Sequence, residues 1–77
     1  MTLIDLKKGE EGIIRDFIGE SMHLIRLREM GLSKGTVLKV IRFAPLGDPI
    51  EIKLRGFHLS LRKDLAKNII VEKKEKS

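Results

Sequence analysis

Apolar and polar residues alternate through Ile50–Leu54 and again through Phe57–Leu61. If Arg55-Gly56 forms a two-residue turn between them, Leu54 faces Phe57, Ile52 faces Leu59 and Ile50 faces Leu61. The six apolar side chains then share one face, and Glu51, Lys53, His58 and Ser60 share the other. Register and burial agree, which marks a β-hairpin. Thr36 to Phe43 is a further strand: Val37, Lys39, Ile41 and Phe43 point one way, Leu38, Val40 and Arg42 the other. Glu11 to Ile18, carrying Ile13, Ile14, Phe17 and Ile18, is another, ended by Gly19.

One helix interrupts the strands. Ser21 is placed to cap a helix running to Met30, and Gly31 falls where the chain needs a left-handed residue. Leu32 then occupies the apolar position of a Schellman motif, with Leu27 as its partner. Met22, Leu24, Ile25, Leu27 and Met30 nearly encircle the helix, which predicts a helix wedged against the sheet with its charges snorkelling outward.

The remaining segments are short. Thr2–Lys8 reads as an extended stretch anchored by Leu3, Ile4 and Leu6 and ending in a turn at Gly9. Ser33-Lys34-Gly35 is a turn. In Ala44-Pro45-Leu46-Gly47-Asp48-Pro49, Pro45 suits the second position of a β-turn, Gly47 its end, and Asp48 is extended before Pro49. Arg62 to Lys67 can hold one helical turn, and Asn68–Val71 a last strand. The expected organisation is one domain over 1–72 and a charged, disordered tail over 73–77, with fraying from Glu72 onward.

About five short strands and one helix are too few for a two-sheet sandwich. A mainly β chain of this kind hides its core by closing the sheet on itself, which gives an SH3-like small β-barrel with one short helix inserted after the first strand.

Composition narrows the chemistry. A chain of 77 residues is one domain, and it buries only about 60% of its unfolded surface. It contains no cysteine, which removes disulfides, iron–sulfur clusters and thiol catalysis and fits a reducing cytosol. Aromatic residues are three Phe, so the core is aliphatic. No apolar run reaches the ~20 residues that span a bilayer. Met1–Lys8 has no signal-peptide apolar core and no myristoylation glycine at position 2. Membrane association therefore comes only through a partner. The net charge of +5 suits an anionic partner, but its Lys and Arg are spread along the chain, the pattern of solubility charge.

Catalytic constellations are weak. His23 and His58 are the two histidines. His23 is near no hydroxyl except Ser21, its helix cap; His58 and Ser60 share a strand face, an ordinary polar surface. The histidines have no metal-ligand spacing, and Glu20 with His23 at a helix start is a poor cation site. The chain reads as no enzyme, with no cofactor. A nucleic-acid surface lacks its stacking platform, because Phe17 adjoins Asp16 while Phe43 and Phe57 look inward. At the apex of the proline-flanked loop, Leu46 has two readings: a lid folded back on the barrel, or an exposed anchor pre-ordered for a partner.

Taken in order, three stretches resemble the FeoA family, the small cytosolic component of bacterial ferrous iron transport. LIRLREMGLSKG, Leu24 to Gly35, is similar to the family's helix ending in L-x-x-M/L-G-L-x-x-G. APLGDPI, Ala44 to Ile50, matches its hairpin loop, and RGFHLSLRKDLAKNIIV, Arg55 to Val71, is similar to its ending. The resemblance covers nearly the whole chain outside the tail. It implies an SH3-like fold over 1–72, no catalysis, a cytoplasmic location and a partner: the FeoB-type ferrous iron permease with its cytosolic GTPase domain. It also implies kinship with the SH3-like domain of iron-dependent repressors, although no helix-turn-helix precedes it here. Candidate partner-binding residues are Pro45, Leu46, Gly47 and Pro49, with Arg55 of the RG pair. The alternatives are a nucleic-acid-binding barrel motivated by charge, a regulatory SH3-like module related to iron-dependent repressors, and a metal chaperone using His23 and His58. The open edges of such barrels also permit self-association.

Overall fold

The computed structural model describes residues 1–75. Its strands are β1 (Glu11–Phe17), β2 (Val37–Phe43), β3 (Ile50–Leu54), β4 (Phe57–Leu61) and β5 (Ile69–Lys74), with helices α1 (Met22–Glu29) and α2 (Lys63–Ala66) and a 3-10 helix at Leu3–Asp5. All five strands form one antiparallel sheet in the order β4-β3-β2-β1-β5. The chain is mainly β with one helix after the first strand, as expected.

The hairpin pairs Ile50 with Leu61, Ile52 with Leu59 and Leu54 with Phe57, the register expected from alternation. Arg55 and Gly56 both have positive φ, 47° and 82°, the signature of a type I′ turn, whose twist matches that of the strands it joins. Helix α1 is also built as expected. Ser21 Oγ accepts from the Leu24 N–H at 3.2 Å. At the other end Leu32 N–H donates to the Leu27 carbonyl at 3.0 Å and Gly31 N–H to the Arg28 carbonyl at 3.2 Å. These two bonds are the Schellman motif, made possible by Gly31 at φ 117°.

Five expectations are corrected. First, β2 does not alternate cleanly, and β1 carries a similar irregularity. Register shifts at Arg15 and at Ile41, between Ile14/Asp16 and Val40/Arg42, insert one extra residue in each strand. Such bulges bend a strand and reverse the facing beyond them. Phe43 therefore lies opposite inward-facing Ile50 and packs on the core with Leu38 and Val40. Second, α1 buries a narrow stripe of Leu24 and Leu27 rather than its whole circumference. Met22 is 63% exposed and Met30 51%. Third, the N-terminal stretch is a 3-10 turn rather than extended chain, held by the Thr2 N–H on Asp5 Oδ2 at 2.8 Å. It buries Leu3 and Leu6 but not Ile4. Leu6 occupies the space over Gly12, where a Cβ would come within 2.8 Å of Leu6 Cδ1. Fourth, β5 runs through Glu72, Lys73 and Lys74, where fraying and a charged tail were expected. Residues 76–77 of that tail lie outside the described residues.

The core is one aliphatic cluster fed by every element, including Ile14, Leu24, Leu32, Val40, Ile52, Ala66 and Ile69. Fifth, the sheet does not close on itself as expected: among the described residues β4 and β5 do not pair, since Met1 and Thr2 occupy the free side of β5, and the two edges differ. Beside β5, Thr2 bridges Ile70 and Val71 N–H donates to the Met1 carbonyl at 3.0 Å, so the chain's own start covers that edge. Beside β4, no strand pairs with the outer side among the described residues.

Glu10 joins the N-terminal turn to β5. Its Oε1 accepts from the Lys7 N–H at 2.7 Å and its Oε2 meets Lys73 Nζ at 2.6 Å. The hydrogen bond from Lys73, then that from Lys7, holds the Glu10 carboxyl below its ordinary 4.5. The same contact with Glu10 raises Lys73 above 10.5. The pair's contribution is thus complete above about pH 4.5 and lost as pH falls through the lower folded value. On the basic side it is complete below about 10.5 and lost as pH rises through the raised one. Carbon-detected NMR should place the Glu10 midpoint below 4.5, and Lys73→Met should return it toward that value; an unmoved midpoint would remove Lys73 as the cause. In urea unfolding, Gly31→Ala should cost about 1 kcal/mol, since an L-residue in the left-handed region is disfavoured by that order.

Candidate functional site

The loop between β2 and β3 is a built turn. The Ala44 carbonyl accepts from the Gly47 N–H at 2.7 Å, and Ala44 N–H donates to the Pro49 carbonyl at 3.0 Å. Pro45 takes the second turn position, where its fixed φ is already correct. The Asp48–Pro49 peptide is cis.

One hydrogen bond ties this loop to α2. Asp48 Oδ1 accepts from the Lys63 N–H at 2.9 Å. Arg62, the residue preceding α2, provides no side-chain cap, so a carboxylate from the neighbouring loop satisfies a donor the helix start leaves open. Lys63 Nζ also lies 3.2 Å from where a Cβ on Gly47 would stand. Gly47 thus serves both a φ of 90° and a close approach.

With its base held, the turn points Leu46 outward, and Leu46 is 99% exposed. It does not fold back as a lid. Full burial of a leucine stabilises by about 2 kcal/mol, and folding of this chain leaves that contribution unused.

Arg55 is not brought to this turn. It stands at the far end of β3, six residues of extended chain from Pro49, or about 20 Å. Its Nη2 donates to Thr36 Oγ1 at 3.2 Å, and Thr36 Oγ1 donates to the Gly31 carbonyl at 3.2 Å. A hydroxyl has one proton, so Ser33 Oγ, also 3.2 Å from Thr36 Oγ1, is the donor in that contact. Thr36 is buried, and this network satisfies it while tying the hairpin turn to the end of α1. The five candidate residues therefore divide: Pro45, Leu46, Gly47 and Pro49 form one presented turn, and Arg55 fastens the opposite end of the sheet.

His23 and His58 line different depressions. His23 borders an open groove of about 560 Å³ with residues of α1, β4 and α2; His58 borders a smaller one with Ile41 and Glu51. Among the described residues no group of three or more His, Asp or Glu is placed to hold a metal ion. Phe17, Phe43 and Phe57 pack half-buried against the core, and the Arg28 guanidinium covers the Phe17 ring at 5.2 Å. No helix among the described residues is long and apolar enough to cross a membrane. Sequence reasoning missed the capping role of Asp48 and the groove beside β4. The spacing from Asp48 to Lys63 is 15 residues, which no local motif reports.

The FeoA domain family matches residues 1–73. A Fe(2+) transport protein A/Fe(2+) transporter FeoB fusion protein of Porphyromonas gingivalis is 33% identical over 72 residues. Those residues are 94% of this chain and 8% of that protein, so the chain spans less than a tenth of the curated relative it matches. The solution structure of FeoA from Chlorobium tepidum superposes with a TM-score of 0.89 at 41% identity, over 95% of this chain and 70% of that one. The zinc-complexed FeoA of Stenotrophomonas maltophilia, described as a prokaryotic SH3 domain protein, gives 0.80 at 25% identity over 94% and 89% of the two chains. The curled five-stranded sheet with its short helix is that SH3-like architecture.

The loop geometry separates two variants. Asp48→Ala should cost about 1 kcal/mol in urea unfolding through the lost cap. Leu46→Asp, on a fully exposed side chain, should stay within about 0.5 kcal/mol of the unmodified chain. A Leu46→Asp chain that unfolds as easily as a core variant would contradict the exposure of the turn.

Proposed function

This chain belongs to the FeoA domain family of ferrous iron transport, and from that membership we propose that it is a small cytoplasmic accessory protein. In this reading it docks through the Ala44–Pro49 turn on a FeoB-type GTPase permease and supports or modulates uptake of Fe(II). The observation that carries it is the Porphyromonas gingivalis relative, in which the homologous segment is joined to FeoB in one protein. Fusion raises the effective concentration of one module at another, which is useful where separate chains must meet.

The turn has the physical properties of an anchor. Leu46 is apolar and exposed, and its backbone is already ordered by Pro45, the Ala44–Gly47 bond and the Asp48 bond to α2. Association therefore orders little more than one side chain, and preorganisation of that kind raises affinity. Iron is the permease's cargo here, and the two histidines of this chain are not required to hold it. Membrane association comes through the permease. The charge of +5 supports a nucleic-acid surface less well, because the three Phe rings that would stack on bases pack against the core.

Titration with the soluble GTPase domain of the permease tests the reading. Leu46→Asp should weaken binding at least tenfold, as expected for a central apolar anchor, while Arg55→Lys should change it little. Equal affinity of the Leu46→Asp and unmodified chains would remove the turn from the interface.

A further inference from the structure

The outer edge of β4 has no paired strand among the described residues. In an antiparallel hairpin closed by a two-residue turn, the residues flanking the turn form a hydrogen-bonded pair and the pattern then alternates. Leu54–Phe57, Ile52–Leu59 and Ile50–Leu61 are thus the bonded pairs. The N–H and C=O groups of His58 and Ser60 consequently point away from β3, and among the described residues they make no bond outside the ladder. The opposite edge of the sheet is closed by Met1 and Thr2; this one is open.

The open groove lies against that edge. It is bordered by both Ser60 and Leu61, consecutive strand residues whose side chains point to opposite faces. The groove thus meets the end of β4 at Ser60 and Leu61, where the strand gives way to α2, while His58 lies further along the same edge, outside the groove. Leu27, Leu61 and Leu65 give it an apolar floor, and Arg26 and Arg62 stand at its walls. Neither guanidinium has a carboxylate within 4 Å among the described residues. Asp64 also borders the groove, which leaves the two arginines in excess. The groove shares α2 with the Leu46 turn, because Lys63 holds Asp48 while Arg62 and Leu65 border the groove.

From this juxtaposition we infer that the groove takes an extended peptide segment of a protein partner, added as a sixth strand to β4. Its alternate residues are apolar, continuing the face of Phe57, Leu59 and Leu61, and acidic, meeting Arg26 and Arg62. Backbone pairing at His58 and Ser60 supplies the affinity and the alternation supplies the selectivity. The inference rests on the reading of the chain as a docking module and names the chemistry of the segment it holds.

The test uses the full chain, labelled with nitrogen-15, and an end-blocked hexapeptide of alternating valine and glutamate. Amide shifts should move at His58 and Ser60 and not at Leu46. Affinity should fall at least tenfold for the valine–lysine counterpart. It should fall as far for one of two glutamate peptides N-methylated on alternate residues, which lose the donors of one edge only. Arg26→Glu with Arg62→Glu should weaken it to the same degree, with the core resonances reporting an intact fold. Shifts centred elsewhere, equal binding of the lysine peptide, no loss with either N-methylated peptide, or no binding at millimolar peptide would overturn the inference. So would pairing of β4 between two copies of the chain in the absence of peptide. No permease is present in this experiment, so its failure leaves the docking of Leu46 standing, and an unaffected Leu46→Asp titration leaves the groove standing.

Discussion

The Arg55-Gly56 turn is the constraint on which the rest depends. Both residues adopt positive φ, which fixes the hairpin register with no residue to spare. A slip of one position would turn Ile50, Ile52 and Leu54 out to solvent and bring Glu51 and Lys53 into an aliphatic core. Arg55 adopts a left-handed conformation uncommon for a residue with a side chain. The same side chain reaches Thr36, and through it the Gly31 carbonyl at the end of α1. One turn thereby holds the sheet register and the helix position together.

The register also decides what is left over. Pairing Leu54 with Phe57 sends the outward backbone groups of β4 to His58 and Ser60, and among the described residues no strand lies on the other side of β4. At the far edge the chain's first residues cover β5, and the Glu10–Lys73 contact holds the end of that strand. The asymmetry follows from connectivity: Met1 and Thr2 lie beside β5, and the turn that follows them buries Leu3 and Leu6 in the core. Nothing comparable follows β4, where the chain turns at once into α2.

Within an SH3-like frame, α2 links the two surfaces. Its first N–H is capped by Asp48 from the loop that carries Leu46, and its next turn borders the groove. A partner touching the loop and the groove would meet a single stiff unit. That suits a domain which in one relative shares a chain with the transporter, because rigid presentation avoids ordering costs on association.

The sequence by itself determined the features that close over a few residues. These are the hairpin and its register, the Ser21 cap, the Gly31–Leu32 helix end with Leu27, and the turn from Ala44 to Gly47. Each depends on φ preferences and neighbours within one or two turns of chain, which local residue types report. Tertiary structure alone decided the bulges at Arg15 in β1 and at Ile41 in β2, the second of which reverses the alternation of β2 beyond it. It decided the run of β5 to Lys74, and it separated Arg55 from the turn that carries Leu46. It also set the outward aim of Leu46, because the carboxylate that steadies its loop caps a helix 15 residues later. Such features balance strand curvature, edge pairing and long-range hydrogen bonds, and those forces come into being only when distant segments share one core.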